Sequence, residues 1–254
     1  MFIILWLNSN IHEYQKSNII EEFGEDKMLF HGDGTNRGIG YSLNRAIEFS
    51  LNKHMTHILT MDQDSYFEKQ GLRKFKRHIL SNVKNDIGVF GSNPKTHGGT
   101  LFEIDSGIRI VNDTITSGSI LPINIFEKTG LFKEELFIDA VDYEFCYRIK
   151  KNYGLSTIVF TDIILEHSIG YPRRTKLGYN VDEYSAFRTY HIVRNHLYVY
   201  WKYKKYYDHN YFTDRIVFRL IKVTLNEAHK LEKVSAIIRG LVDGVKLINK
   251  DRIN

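Results

Sequence analysis

Two periods alternate along the chain. Short apolar runs bounded by polar or turn residues read as buried strands at Phe2–Trp6, Met28–His31, His57–Met61, Ile87–Gly91, Ile108–Val111 and Ser156–Phe160. Stretches with helical spacing lie between them. They are Tyr41–Leu51, Leu72–Val83, Ile123–Thr129 stopped at Gly130, and Tyr143–Lys151 ended by Gly154. This order predicts an α/β fold. Asn8-Ser9-Asn10 closes the first strand with turn chemistry, and residues 94–107 are polar and Gly-rich, which predicts an exposed loop. Beyond Tyr171 the composition shifts, and Arg215–Ile248 reads as an amphipathic helix broken near Leu231. The expectation is a domain over 1–170 and a helical, basic and aromatic region over 171–254.

Composition narrows the class. The chain has 254 residues, 43% hydrophobic and 26% charged, which excludes a disordered chain and allows a sizeable core. No apolar run is long enough to span a bilayer, and Met1–Leu7 is too short for a signal peptide's core. Cys146 is the single cysteine, so no internal disulfide forms, and a reducing cytoplasm fits. The net charge of +5 points to an anionic partner: nucleotide, nucleic acid or acidic lipid.

The candidate chemistry centres on His57-Ile58-Leu59-Thr60-Met61-Asp62-Gln63-Asp64-Ser65, an apolar run ending in two aspartates at i and i+2. On an extended chain these point to one side, giving an oxygen-rich site suited to Mg²⁺ or Mn²⁺ carrying phosphates. A polar turn in which Asp64 or Ser65 caps a helix starting near Phe67 explains the pair as well. So does the nucleophile element of a dehalogenase-type phosphatase. Gly32–Gly40 is a glycine-rich loop before a helix, able to hold a phosphate or simply to turn. Asp142 falls at the start of a helix, where a carboxylate is favoured by the dipole. Arg and Lys interleave with Tyr and Trp from Tyr171 to Tyr207, a pattern shared by membrane interfaces, single-stranded nucleic-acid grooves and ordinary packed helices.

Several stretches, taken in order, resemble one family. Asn36-Arg37-Gly38-Ile39-Gly40-Tyr41-Ser42-Leu43-Asn44 resembles an N-x-G-x-x-x-A-x-N element, with Ser42 where Ala is usual. Asp62-Gln63-Asp64 resembles its D-x-D, and Thr116-Ser117-Gly118-Ser119 its sugar-side segment. Asp142 falls in its E-D pair, with Val141 replacing the acidic neighbour, and Glu144 matches a second acidic position. His167 with Gly170 resembles H-x-x-G, Ser185–Asn195 resembles S-x-x-R-x-Y-x-x-x-R-N, and Arg239–Gly244 a closing helix. The chain is similar to family 2 glycosyltransferases of the GT-A fold, nearest to the rhamnosyltransferases.

The resemblance implies a mixed central sheet flanked by helices, with a C-terminal helical appendage. It implies a sugar, rhamnose by preference, moved with inversion from a nucleoside diphosphate (dTDP-rhamnose) to a lipid-linked or polysaccharide acceptor, and no nucleic-acid partner. Asp142 is then the catalytic base. Asn36, Gly38, Asn44, Asp62, Ser117 and Gly118 hold the donor. Asp62, Asp64 and His167 hold Mg²⁺ or Mn²⁺, and Glu144, Arg188 and Arg194 contact acceptor or phosphate. The basic, aromatic segment is expected on the inner face of an anionic membrane. The family also begins with a strand and helix that precede the counterpart of Leu5–Asn10, so the resemblance implies an N-terminal truncation, with Leu7 where a nucleotide-contacting Asp belongs.

Overall fold

The computed structural model describes residues 2–81, 86–96, 98–167, 172–174 and 180–253. Strand β1 (Ile3–Trp6), helix α1 (Glu13–Phe23) and strand β2 (Met28–His31) form a crossover unit in which the two strands pair in parallel. Helix α2 (Ile39–Asn52) follows, then β3 (His57–Thr60) and β4 (Ser65–Phe67). No helix begins near Phe67. Those residues pair with a later strand instead, and α3 starts four residues on, spanning Gly71–Ser81.

Strand β5 runs from Ile87 to Thr96, well past the apolar stretch Ile87–Gly91, and turns back through β6 (Gly99–Thr100). Part of the expected loop over 94–107 is therefore paired backbone. The reason is local: Ser92 and Asn93 are buried, and the Asn93 amide reaches the carbonyls of Phe102 and Thr161, each at 2.9 Å. Next come β7 (Ile108–Val111), β8 (Ser119–Pro122), α4 (Ile125–Thr129), α5 (Val141–Tyr153) and the long β9 (Ser156–His167).

The main sheet has seven strands, with a path β3-β8-β5-β9-β4 and with β6 on β5 and β7 on β9. It is mixed: β5 and β9 are parallel, while β3, β4 and β7 pair antiparallel. The β1–β2 pair is a separate sheet. Among the described residues β1 pairs only with β2, and β3 only with β8. The free sides of both strands line one open cavity of about 2520 Å³.

A small antiparallel pair, β10 (Pro172–Arg174) and β11 (Asn180–Asp182), leads into α6 (Ala186–Tyr203), α7 (His209–Thr213), α8 (Arg219–Asn226) and α9 (Lys230–Ile253). The break expected near Leu231 falls just before it, and His229 there adopts φ +53°. Tyr198, Tyr203, Tyr207 and Leu247 share one core cluster with Ile47, Phe126 and Phe145. The change near residue 170 is thus one of composition, with a common core on both sides.

That packing also relocates the aromatic stripe. Tyr184, Tyr198, Tyr203 and Tyr207 are buried, so much of the Tyr171–Tyr207 segment faces the core rather than an outer surface. The rings pack tilted against those of α5, as Tyr207 does on Tyr143 and Tyr203 on Tyr147. Lys202 and Lys151 lie over Tyr203. Tyr171, Lys176 and Tyr179 lie outside the described residues, as do Gly170 and the side chains of Arg173 and Arg174.

Candidate active site

The Asp62–Asp64 turn leaves β3 and enters β4. The antiparallel register of β4 on β9 sets Ser65 opposite His167. That pairing carries a residue over a hundred positions away to the aspartates. Asp62, Asp64 and His167 each offer a ligand atom, and these atoms lie within 4.8 Å of one another. The Ser65 hydroxyl is 2.7 Å from His167 Nδ1 and fixes the ring, and Asp64 Oδ1 is 4.0 Å from the same nitrogen. Burial raises the Asp62 carboxyl above its ordinary value, opposed by His167. Two carboxylates and an imidazole so gathered are a donor set for a divalent cation such as Mg²⁺ or Mn²⁺.

Beneath this turn lies the 116–119 segment. Ser117 is buried and its hydroxyl accepts from the Asp62 amide at 3.0 Å, so it supports the Asp62–Asp64 turn. Gly118 has φ +70° and its N–H donates to the Thr60 carbonyl at 2.8 Å. A Cβ there would sit 2.5 Å from Ser92 Oγ. Ser117 lines the cavity, whereas Gly118 is a packing position below it.

A second wall is the turn 137–140 before α5. Phe137, Asp139 and Ala140 all take positive φ, between 61° and 63°, although none is glycine. Such conformations persist only when the surroundings over-determine them. Three devices do so. Asn195 Nδ2 donates to the carbonyls of Leu136, Ile138 and Asp139 at 2.6, 2.7 and 3.0 Å. Arg188 grips Asp139 through two bonds of 3.2 Å. Gly38, at φ +89°, lets α2 approach so closely that a Cβ would lie 2.6 Å from the Phe137 carbonyl.

Asp142 follows in the first turn of α5 and lines the same cavity as Asp62, Asp64, His167, Asp139 and Arg188. As a residue it is half-buried, yet its carboxyl is enclosed by protein. Burial pushes that carboxyl up to about 7, with the charges of Asp113 and Asp139 acting in the same direction and the Tyr143 amide opposing. Behind it, Tyr147 donates to Asp113, which burial also raises.

Three sequence candidates sit elsewhere. Asn44 is buried and clamps α2 to the 132–134 segment: its Nδ2 donates to the Phe132 carbonyl and its Oδ1 accepts from the Phe132 amide, both at 2.9 Å. Glu144 is buried between Arg148, at 3.1 Å, and the Tyr203 hydroxyl, at 2.8 Å. Arg194 donates to the Glu135 and Leu136 carbonyls and lies over Tyr190. None of the three lines the cavity, because each side chain is spent on a backbone or buried partner. Asn36 does line it, with its side-chain oxygen accepting from Gly38 N–H at 3.0 Å. Sequence reasoning missed Asn195 as the organiser of the 137–140 turn. Its only signal was its place at the end of the Ser185–Asn195 stretch.

No family model matches the chain. Among curated proteins, dTDP-rhamnosyl transferase RfbF of Shigella flexneri is 30% identical over 230 residues, which are 84% of this chain and 77% of that protein. Among solved structures, GalNAc-T7 with UDP, GalNAc and Mn²⁺ superposes with a TM-score of 0.56 at 11% identity, over 98% of this chain and 51% of that one. The mannosyltransferase PcManGT of Pyrobaculum calidifontis, in complex with GDP-Man and Mn²⁺, gives 0.52 at 10% identity, over 99% and 70%. S. aureus TarS 1-349 with UDP gives 0.51 at 13%, over 94% and 61%. The chain thus spans about half the length of the GalNAc-T7 structure.

Proposed function

Because the chain belongs to the family of dTDP-rhamnosyl transferase RfbF, the rhamnosyltransferase-like glycosyltransferases of GT-A fold, we propose that it moves rhamnose from dTDP-rhamnose to an acceptor hydroxyl with inversion. The acceptor we assign is lipid-linked or a polysaccharide. The observation that carries the reading is the shared cavity: a cation-type cluster of Asp62, Asp64 and His167 on one wall and Asp142 on another. A dehalogenase-type phosphatase falls away with the family assignment.

In this reading Asp62, Asp64 and His167 hold Mg²⁺ or Mn²⁺, which supplies neutralisation of the diphosphate leaving group. Ser65 holds the imidazole in place through Nδ1. Asn36 and Ser117, at the cavity wall, border the donor. Asp142 takes the proton from the attacking hydroxyl. A carboxyl raised to about 7 is a stronger base than an ordinary aspartate, and it is still half ionised at neutral pH. Arg188, held by Asp139, presents a fixed cation to the same space and suits a diphosphate oxygen.

Release of nucleoside diphosphate from a panel of sugar nucleotides, with and without Mn²⁺, tests the proposal. Turnover of dTDP-rhamnose that depends on metal and falls on Asp64→Asn is expected. Preferred turnover of another donor would remove the sugar assignment, and metal-independent turnover would remove the role of the three ligands.

A further inference from the structure

The C-terminal hairpin buries an ion cluster beside a small apolar core that includes Val223 and Ile237, and it leaves a row of aliphatic side chains outside. On α8 the inward residue Arg219 is 3% exposed, and it grips Glu227 at 2.6 and 3.0 Å and Thr189 at 2.9 Å. Lys233 of α9 is also 3% exposed and bonds both Glu227 and Glu183 at 2.8 Å. The outward faces carry aliphatic and aromatic residues. Val217 and Phe218 just before α8, with Ile221 and Leu225 on it, are exposed on one side, and Leu231, Ile238, Val242 and Val245 on α9. Leu225 and Leu231, flanking the connection, are 70% and 90% exposed. At about 100° per residue the four α9 residues fall within an arc of roughly 60°. A soluble helix normally places such a stripe against the core.

Charge selects the partner. Between residues 215 and 253 nine Lys or Arg stand against four Asp or Glu, a net of +5, which equals the net charge of the whole chain. Exposed Arg239 and Lys246 border the α9 stripe, and Lys230 stands at the connection. A second copy would bring two such positive faces together, whereas anionic headgroups complement them. No helix among the described residues is long and apolar enough to cross a membrane, so this face would lie in the interfacial plane.

We propose that the outer face of α8 and α9 docks on an anionic lipid bilayer, with Leu225 and Leu231 entering the acyl boundary and Lys230, Arg239 and Lys246 meeting the headgroups. This surface replaces the Tyr171–Tyr207 stripe, whose rings are largely packed inward. The inference stands apart from the sugar-transfer reading, since docking is measured without donor or acceptor.

Flotation with vesicles of phosphatidylcholine, alone or with phosphatidylglycerol, tests it. The wild-type chain is expected to float with the anionic vesicles, less so as salt rises. Leu225→Ser/Leu231→Ser should lower partitioning by about tenfold or more, and Lys230→Glu/Arg239→Glu should remove the preference for anionic over neutral lipid. Thermal melts should match the wild type for both variants, because these side chains are exposed. Wild-type protein that stays in the aqueous phase with both vesicles overturns the proposal. So does a serine variant that floats unchanged. A wild-type dimer in light scattering that the serine changes dissociate, without any vesicle binding, would assign the face to a second copy.

Discussion

In the proposed reading, the chemistry asked of Asp142 comes at a cost to the fold. Its carboxyl is raised from 3.8 to about 7, so the folded protein prefers it protonated. The sign follows directly. Well below pH 3.8 the group is neutral folded or unfolded and contributes nothing. As pH rises from 4 to 7 the unfolded chain ionises first and the native state loses stability, by up to a few kcal/mol. Asp142→Asn should therefore melt higher than wild type at pH 8 and almost no differently at pH 3, while transfer falls by about 10²–10⁴. Equal melting differences at both pH values would show that the carboxyl is not raised. Transfer by the wild-type enzyme should climb about tenfold per unit as pH rises below 7 and level off above it, measured as kcat/KM. Asp62, Asp64 and Asp142, which line the cavity, could be picked out as candidates because i and i+2 on a strand end, and a carboxylate at a helix start, are local patterns. Asn44, Glu144 and Arg194 matched motifs equally well, yet their partners lie 88, 59 and 58–59 positions away, at Phe132, Tyr203 and the Glu135–Leu136 carbonyls. Local pattern does not show that kind of commitment.

At the scale of elements, α6 holds the turn that delivers Asp142. Asn195→Ala would leave three carbonyls of the strained 136–139 segment without their donor and release residues that dislike positive φ. We expect a loss of about 2–3 kcal/mol in denaturant unfolding, together with a drop in kcat larger than in donor affinity, since the Asp62–Asp64 turn is built on β3 and β4. The hairpin of α8 and α9 has its own keystone. Glu227→Gln would leave Arg219 and Lys233 as buried cations with a neutral partner, and should cost about 3–5 kcal/mol in urea unfolding. Element positions followed well from periodicity, but their ends did not. β5 and β9 extend beyond their apolar stretches because polar residues such as Asn93 and Thr161 are satisfied by bonds to residues distant in sequence. β4 was invisible because a three-residue strand carries too little pattern and exists only through β9.

Across the whole molecule, the α/β class and the family could be read from the order of motifs, and the gathering of β4, β9 and the 137–140 turn around one cavity could not. What hides that gathering is the distance in sequence over which β9 and α6 return. The separation of the β1–β2 pair from the main sheet leaves a further mark. Along β1 and β3 one row of backbone N–H and C=O groups faces the open cavity with no strand beside it among the described residues. In an antiparallel ladder alternate amides of β3 bond to β8 and the others point away. On transfer to deuterated water, peptides spanning Phe2–Leu7 and His57–Thr60 should therefore take up label in two phases: a rapid one for the cavity-facing amides, and a slow one shared with β5 and β9, which only the global opening of the fold exposes.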